Sequence, residues 1–263
     1  MEHPRPLGNT GLMAGRLGIS SSYGAPAAAF EEAFERGCNY FTWGTFIRGR
    51  SSEMAKAVRD IVRKGQRDKL ILAVFTYWHN AWLTEKTLIK GLKKLGTDYV
   101  DVLLLGWHPR HPAKAVMEGA EKLQNQGLAR YLGLSSHRRT LFPELFREGL
   151  LDVYHIRYNA VHRGAEQEVF PFIPDSQKPG IVSFTATCWG KLLKAKKMPQ
   201  GEEPLTAADC YRFVLSDPAV DVCMIGAKTK EELHEDLKIL DMPPLSQDEI
   251  GRIKKTGDYI YHS

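Results

Sequence analysis

The chain has 263 residues and a formal net charge of +5, with 43% hydrophobic and 25% charged residues. These proportions exclude a disordered, collagen-like or coiled-coil chain. The longest apolar run, around Val100–Gly106, is too short to cross a bilayer, and the N-terminus, Met1-Glu2-His3-Pro4-Arg5-Pro6, lacks a signal peptide's apolar core, so the expectation is a soluble, cytoplasmic protein with no membrane partner.

Short β-rich runs alternate with amphipathic helical runs from end to end. The first pair is strand Arg16–Ser20 with helix Ala27–Arg36, and the second is Asn39–Trp43 with Ser52–Lys64. Lys69–Phe75 precedes Glu85–Leu95, and Tyr99–Leu105 precedes Ala113–Gln126. Arg130–Leu134 leads into Leu141–Glu148, and Val153–Arg157 into Ala165–Ile173. The last pairs are Ile181–Thr185 with Ala207–Leu215, and Val222–Ile225 with Lys230–Leu240. Gly37, Gly65, Gly96, Gly127 and Gly149 follow helical runs, where a left-handed cap favours glycine. Thr84 is the expected N-cap of the third helix. Eight strand–helix pairs predict a (β/α)₈ TIM barrel. An open doubly wound sheet would carry GxGxxG after an early strand, and Gly18–Gly24 lacks it. No linker interrupts the pattern, so residues 1–263 are expected to form one domain.

In a barrel, function gathers at the C-terminal strand ends. Trp43, Trp78, Trp82, Trp107 and Trp189 fall there, with His79, His108, His111, His137, His162 and Tyr77, while His155 lies inside the sixth strand. Such crowding predicts an aromatic-walled pocket for a small molecule. No metal site is expected, because His108 and His111 have no acidic neighbour at ligand spacing. Cys38, Cys188, Cys210 and Cys223 fit no zinc pattern and read as buried thiols. The run Lys191, Lys194, Lys196 and Lys197 reads as a solvated loop, and no nucleic-acid motif is present.

Several stretches resemble the aldo/keto reductase family. Arg5-Pro6-Leu7-Gly8-Asn9-Thr10-Gly11-Leu12 with Arg16-Leu17-Gly18 is similar to the hairpin that closes the barrel bottom there. Glu35–Phe41 resembles the approach to the second strand. Leu215–Val220 followed by Ile225-Gly226-Ala227-Lys228-Thr229 resembles the cofactor-phosphate segment. The resemblance implies a barrel with an N-terminal β-hairpin cap, NADP(H) as cofactor, and carbonyl reduction by an Asp–Tyr–Lys–His tetrad. It also implies that the tetrad is replaced: Thr42 stands at the aspartate position, Ile47 at the tyrosine, Phe75 at the lysine and Gly106 at the histidine. Tyr77 or His108, two residues beyond Phe75 and Gly106, is the expected substitute proton donor should activity survive.

On the cofactor side, Lys228 matches a 2′-phosphate contact, Thr229 a phosphate-binding hydroxyl and Glu235 an adenine-facing residue, while Asp236 replaces asparagine. Phe184 matches the aromatic that stacks on nicotinamide, and Ser135 a carboxamide contact. Ser136 and His155 stand where Asn and Gln are usual, and Gly226 belongs to the phosphate segment. Two functions follow. One is an NADP(H)-linked oxidoreductase with a rebuilt proton-donor site and poor activity on ordinary carbonyls. The other is a barrel that binds a ligand or partner without turnover.

Overall fold

The computed structural model describes residues 3–21, 23–44 and 50–262. Among them, eight parallel strands close into a barrel: β3 (Leu17–Ser20), β4 (Tyr40–Gly44), β5 (Ile71–Thr76), β6 (Val100–Leu105), β7 (Ala129–Ser136), β8 (Val153–Arg157), β9 (Gly180–Phe184) and β10 (Val222–Ile225). The circuit shuts where β10 pairs with β3, Cys223 opposite Leu17. All eight expected strands are present. β7 runs further than its apolar run, which carries Ser135 and Ser136 into the strand.

The helices follow the expected order. They are α1 (Ala27–Glu35), α2 (Arg50–Arg63), α3 (Ala81–Leu95), α4 (Lys114–Asn125), α5 (Phe142–Glu148), α6 (Ala165–Glu168), α7 (Ala207–Ser216), α8 (Lys230–Leu237) and α9 (Gln247–His262). Three expectations need correction. Thr84 does not cap α3: the helix starts a turn earlier, where the Asn80 side chain accepts from Leu83 N, and Thr84 is buried inside it. The run Ala165–Ile173 is not one helix, because Pro171 supplies no N–H and the chain continues as a 3₁₀ turn at Phe170–Phe172. Finally, α9 was not foreseen. Its Ile253, Thr256, Gly257 and Ile260 are buried, and Gly257 lies so close to the Ala160 carbonyl that a Cβ would stand 2.0 Å from it.

Side-chain parity divides the core. Phe41, Trp43, Leu103 and Ile156 point outward to the helices, while Tyr40, Ile71, Ala73, Val102, Leu104, Val153, Val182 and Val222 fill the barrel. The bottom is plugged by the antiparallel hairpin β1 (Arg5–Pro6) and β2 (Met13–Ala14), which drives fully buried Leu7 into the interior. Gly180 makes room for it, since a Cβ there would lie 2.7 Å from Leu7. Asn9 N–H donates to the Lys178 carbonyl at 2.8 Å, and the Tyr131 hydroxyl donates to the Thr10 carbonyl. With the bottom sealed, the open end is the C-terminal one. Among the described residues, no helix is long and apolar enough to cross a membrane.

Candidate active site

A cleft of 1240 Å³ opens at the C-terminal ends of the strands. It runs from the barrel axis, at Thr42, Phe75, Ser135, His155 and Phe184, to the start of α8, at Gly226, Lys228, Glu235 and Asp236. Tyr23, Tyr77, Trp107, Trp189 and Tyr211 wall it. Trp43 borders it too, but its indole is buried against Gly91 of α3 and donates to the Ser51 carbonyl at 2.7 Å. Trp78 and Trp82 lie exposed outside the lining.

The floor is a pair of buried polar groups. Inward-facing Tyr40 and His155 meet with their hydroxyl oxygen and Nε2 2.8 Å apart. Both are fully enclosed, with 0% and 1% of their surfaces exposed. A buried tyrosine hydroxyl must place its proton on an acceptor. His155 Nε2 is the neighbour within reach, so Tyr40 donates, Nε2 accepts, and the imidazole proton sits on Nδ1. Burial holds the His155 pKa down to about 3, so the ring is neutral near pH 7. Burial, followed by the charge of Asp101, raises the Tyr40 pKa, so it too stays protonated. The floor therefore offers neutral hydrogen-bonding groups and no charge.

Above it, Phe75 meets His155 edge-on at 5.5 Å and stacks on Tyr77 at 5.5 Å and 15°. Gly106 completes this arrangement, because a Cβ on it would stand 2.9 Å from the Tyr77 ring. The stack thus occupies the space that a side chain at 106 would need. Burial pushes the Tyr77 pKa up to about 12, which leaves it a weak acid. Thr42 lines the same floor, and Ile47 lies outside the described residues.

The structure does not bring His108 into the cleft. It is 4% exposed, stacks on His79 at 4.1 Å and leaves Nε2 buried without a partner. Burial, then the charges of His79 and His111, lowers its pKa to about 4. His111 turns elsewhere, with Nε2 2.7 Å from Glu148. Ser136 is likewise withdrawn: its hydroxyl donates to the His108 carbonyl at 2.6 Å and accepts from Arg138 N. Ser135 stays on the cleft, and its carbonyl accepts from His108 N.

At the other end, Thr229 is the N-cap of α8, its hydroxyl accepting from Glu232 N at 3.1 Å. The Glu232 carboxylate reaches back to accept from Lys228 N at 2.7 Å. The helix start is therefore occupied by the protein's own anion, and Glu231, Glu232, Glu235 and Asp236 surround the single cation Lys228 in the lining. Asp236 accepts from the Tyr211 hydroxyl at 3.4 Å. Burial pushes its pKa up to about 7, and Glu232 and Glu235 add to the rise. Tyr23 lies over Gly226, whose Cβ would stand 2.1 Å from the Tyr23 ring.

Tyr40, Tyr23, Tyr211 and Glu232 are the site residues that sequence reasoning missed. For Glu232 there was a signal, since Thr229-x-x-Glu232 is a capping-box spacing. Tyr40 had strand parity with Thr42, which places both inward. Tyr23 and Tyr211 gave no signal, because their places depend on how a loop and a helix fold over the cleft.

The profile of the aldo/keto reductase family matches residues 14–205, and the segment Gly226–Asp236 lies beyond that match. An uncharacterized oxidoreductase YqkF from Bacillus subtilis is 24% identical, covering 98% of this chain and 97% of that protein. The aldo-keto reductase YhdN of the same organism is 24% identical over 71% of this chain and 69% of its own. Among solved structures, the holo form of aldo-keto reductase AKR11C1 from Bacillus halodurans superposes with a TM-score of 0.81 at 21% identity, covering 97% and 96% of the two chains. A thermostable aldo-keto reductase, Tm1743, solved with the inhibitor epalrestat, gives a TM-score of 0.75 at 21% identity over 96% and 99%. With a matched stretch that spans most of the barrel, the chain belongs to the aldo/keto reductase family.

Proposed function

We propose that this family member binds NADP(H) in the cleft, in the cytoplasm, as an oxidoreductase whose proton-donor site is rebuilt. One observation carries the reading: a single cleft joins the floor at Ser135, His155 and Phe184 to the α8 start at Lys228 and Asp236. Its volume of 1240 Å³ exceeds that of most small-ligand pockets and suits a dinucleotide. The residues fit the group in kind. Phe184 presents a ring for stacking, Ser135 and His155 present hydrogen-bonding groups, and Lys228 presents a cation. Glu232 must swing away from Lys228 N before a phosphate can take that N–H. Bound NADPH would supply a hydride, and the chain's own residues would orient the carbonyl over the neutral floor.

The test is titration with NADPH and NADH, followed by quenching of Trp189, which is exposed beside the cleft. Lys228→Ala should weaken NADPH and leave NADH nearly unchanged. An equal loss for both removes the role given to Lys228, and no quenching by either removes the cofactor.

A second reading, a ligand-binding barrel without turnover, draws on the floor. Thr42, Phe75 and Gly106 hold no carboxylate, amine or imidazole at the positions that the family resemblance assigns to the tetrad. Binding of NADPH with no consumption in the presence of aldehydes favours this reading.

A further inference from the structure

Two arginines at the rim of the barrel hold guanidinium Nε atoms that are buried without a partner. Arg157 follows His155 by two on β8 and so points inward, opposite Phe184 in register. His137 meets Phe184 edge-on at 5.4 Å. The Arg157 guanidinium has its Nε buried without a partner. Arg139 reaches the same corner, packed against Gly164. It pairs with Glu168 at 2.9 Å, yet its own Nε is also buried and unpartnered. His162 completes the corner, edge-on to Trp189 at 6.0 Å. Its pKa falls to about 4, first through burial and then through Arg157, Arg139, Lys191 and His137. His137 is lowered by burial and then by Arg157.

An enclosed guanidinium N–H without an acceptor is costly, and a carboxylate satisfies such donors as charge-assisted pairs. We infer that Arg157, supported by Arg139, forms a binding site for the carboxylate of a carbonyl compound that occupies the cleft. The site lies beside Phe184 and His155, at the opposite end from Lys228, so it is distinct from the contact assigned to the cofactor phosphate. The inference rests on reading the cleft as a carbonyl site, and it adds the substrate class: an aldehyde or ketone acid.

The experiment measures binding to the full chain by calorimetry, with 4-carboxybenzaldehyde, benzaldehyde and benzoate as probes. The acid aldehyde should bind about tenfold or more tighter than benzaldehyde, the advantage expected of one charged hydrogen-bonded pair. Arg157→Gln should abolish that ratio, and Arg157→Lys should keep part of it, as a charge without the planar fork. NADPH affinity should stay within about twofold in both variants, which also shows that they fold. Benzoate separates the two failures: if it binds in an Arg157-dependent way while neither aldehyde outdoes it, the anion site stands and the carbonyl reading falls. Equal binding of the acid and neutral aldehydes by the wild type overturns the site. So does a ratio untouched by Arg157→Gln. A loss of NADPH affinity as large as the loss of acid would assign Arg157 to the cofactor's phosphates instead.

Discussion

Replacing Asp236 with asparagine tests the electrostatics at the α8 end of the cleft. Burial is the largest cause that pushes its carboxyl up to about 7, with Glu232 and Glu235 adding to it and the Tyr211 hydroxyl opposing. In the unfolded chain an aspartate titrates near 3.9. The folded state thus prefers the protonated acid. That preference stabilises fully below the unfolded value and is lost as pH rises through the folded one. The whole gap corresponds to about 4 kcal/mol as an upper bound, and about 2–3 kcal/mol of it falls between pH 5 and pH 8. Asparagine keeps the shape and removes the titration. Urea unfolding of wild type and Asp236→Asn at both pH values gives the answer, because groups not coupled to Asp236 titrate alike in the two proteins, and its coupled neighbours Glu232 and Glu235 are glutamates, a side chain that ordinarily titrates below about pH 5. The variant should gain about 2–3 kcal/mol over the wild type on going from pH 5 to pH 8. A stability difference that is the same at both values would refute the buried-carboxyl argument.

Tyr40→Phe removes the donor to His155 Nε2 and leaves a buried acceptor unpaired, so it should cost about 1–3 kcal/mol in urea unfolding; unchanged stability would dissolve the pair. Purified protein with NADPH should reduce 4-nitrobenzaldehyde very slowly, since loss of general acid catalysis is worth about 10²–10⁴-fold. Where residual turnover is measured, Tyr77→Phe and His108→Ala identify the donor, and robust turnover untouched by either contradicts the tetrad placement. Gly106→Ala places a methyl 2.9 Å from the Tyr77 ring and 3.0 Å from the Thr76 carbonyl, and should destabilise by about 1–3 kcal/mol. Adding Tyr77→Ala should recover part of that loss, whereas simple additivity of the two changes would mean that the ring does not press on this position.

The barrel was legible because each strand is a short apolar run and each helix a periodic one, and both signals are local. The hairpin plug was legible from the resemblance alone. α9 escaped, although Ile250, Ile253, Gly257 and Ile260 repeat at three and four residues, because its stripe is thin, interrupted by glycine, and follows no strand. At the site, residues fixed by strand parity fell where expected: Thr42, Phe75, Ser135, His155 and Phe184 all line the cleft. Past the strand ends parity was a weaker guide: Tyr77 still lines the cleft beside Phe75, but His108 does not. His108 keeps the parity of Gly106, but Trp107 between them has a φ of +53°, and the backbone turn takes the imidazole to His79 instead of the axis. The acidic surroundings of Lys228 were also hidden, because all four carboxylates are brought to it by the turns of α8 and matter only once that helix is placed over the cleft.

The side chains at the floor pack as one unit. Phe75 points inward, and Tyr77 lies flat on it. That stack fills the space over position 106, so glycine there is the counterpart of Tyr77. Tyr40 and His155 are coupled in the same way, through the 2.8 Å contact that gives the tyrosine proton its acceptor. A lysine at 75 would lose two ring contacts, and a histidine at 106 would collide with Tyr77. The floor holds a neutral imidazole, fixed in one tautomer by a buried tyrosine, with the Phe75–Tyr77 stack beside it. A neutral imidazole in an apolar setting polarises a carbonyl oxygen through a hydrogen bond without delivering a charge to it. On the proposed oxidoreductase reading, the axis would recognise and polarise a carbonyl, and proton delivery would be left to a weak acid such as Tyr77.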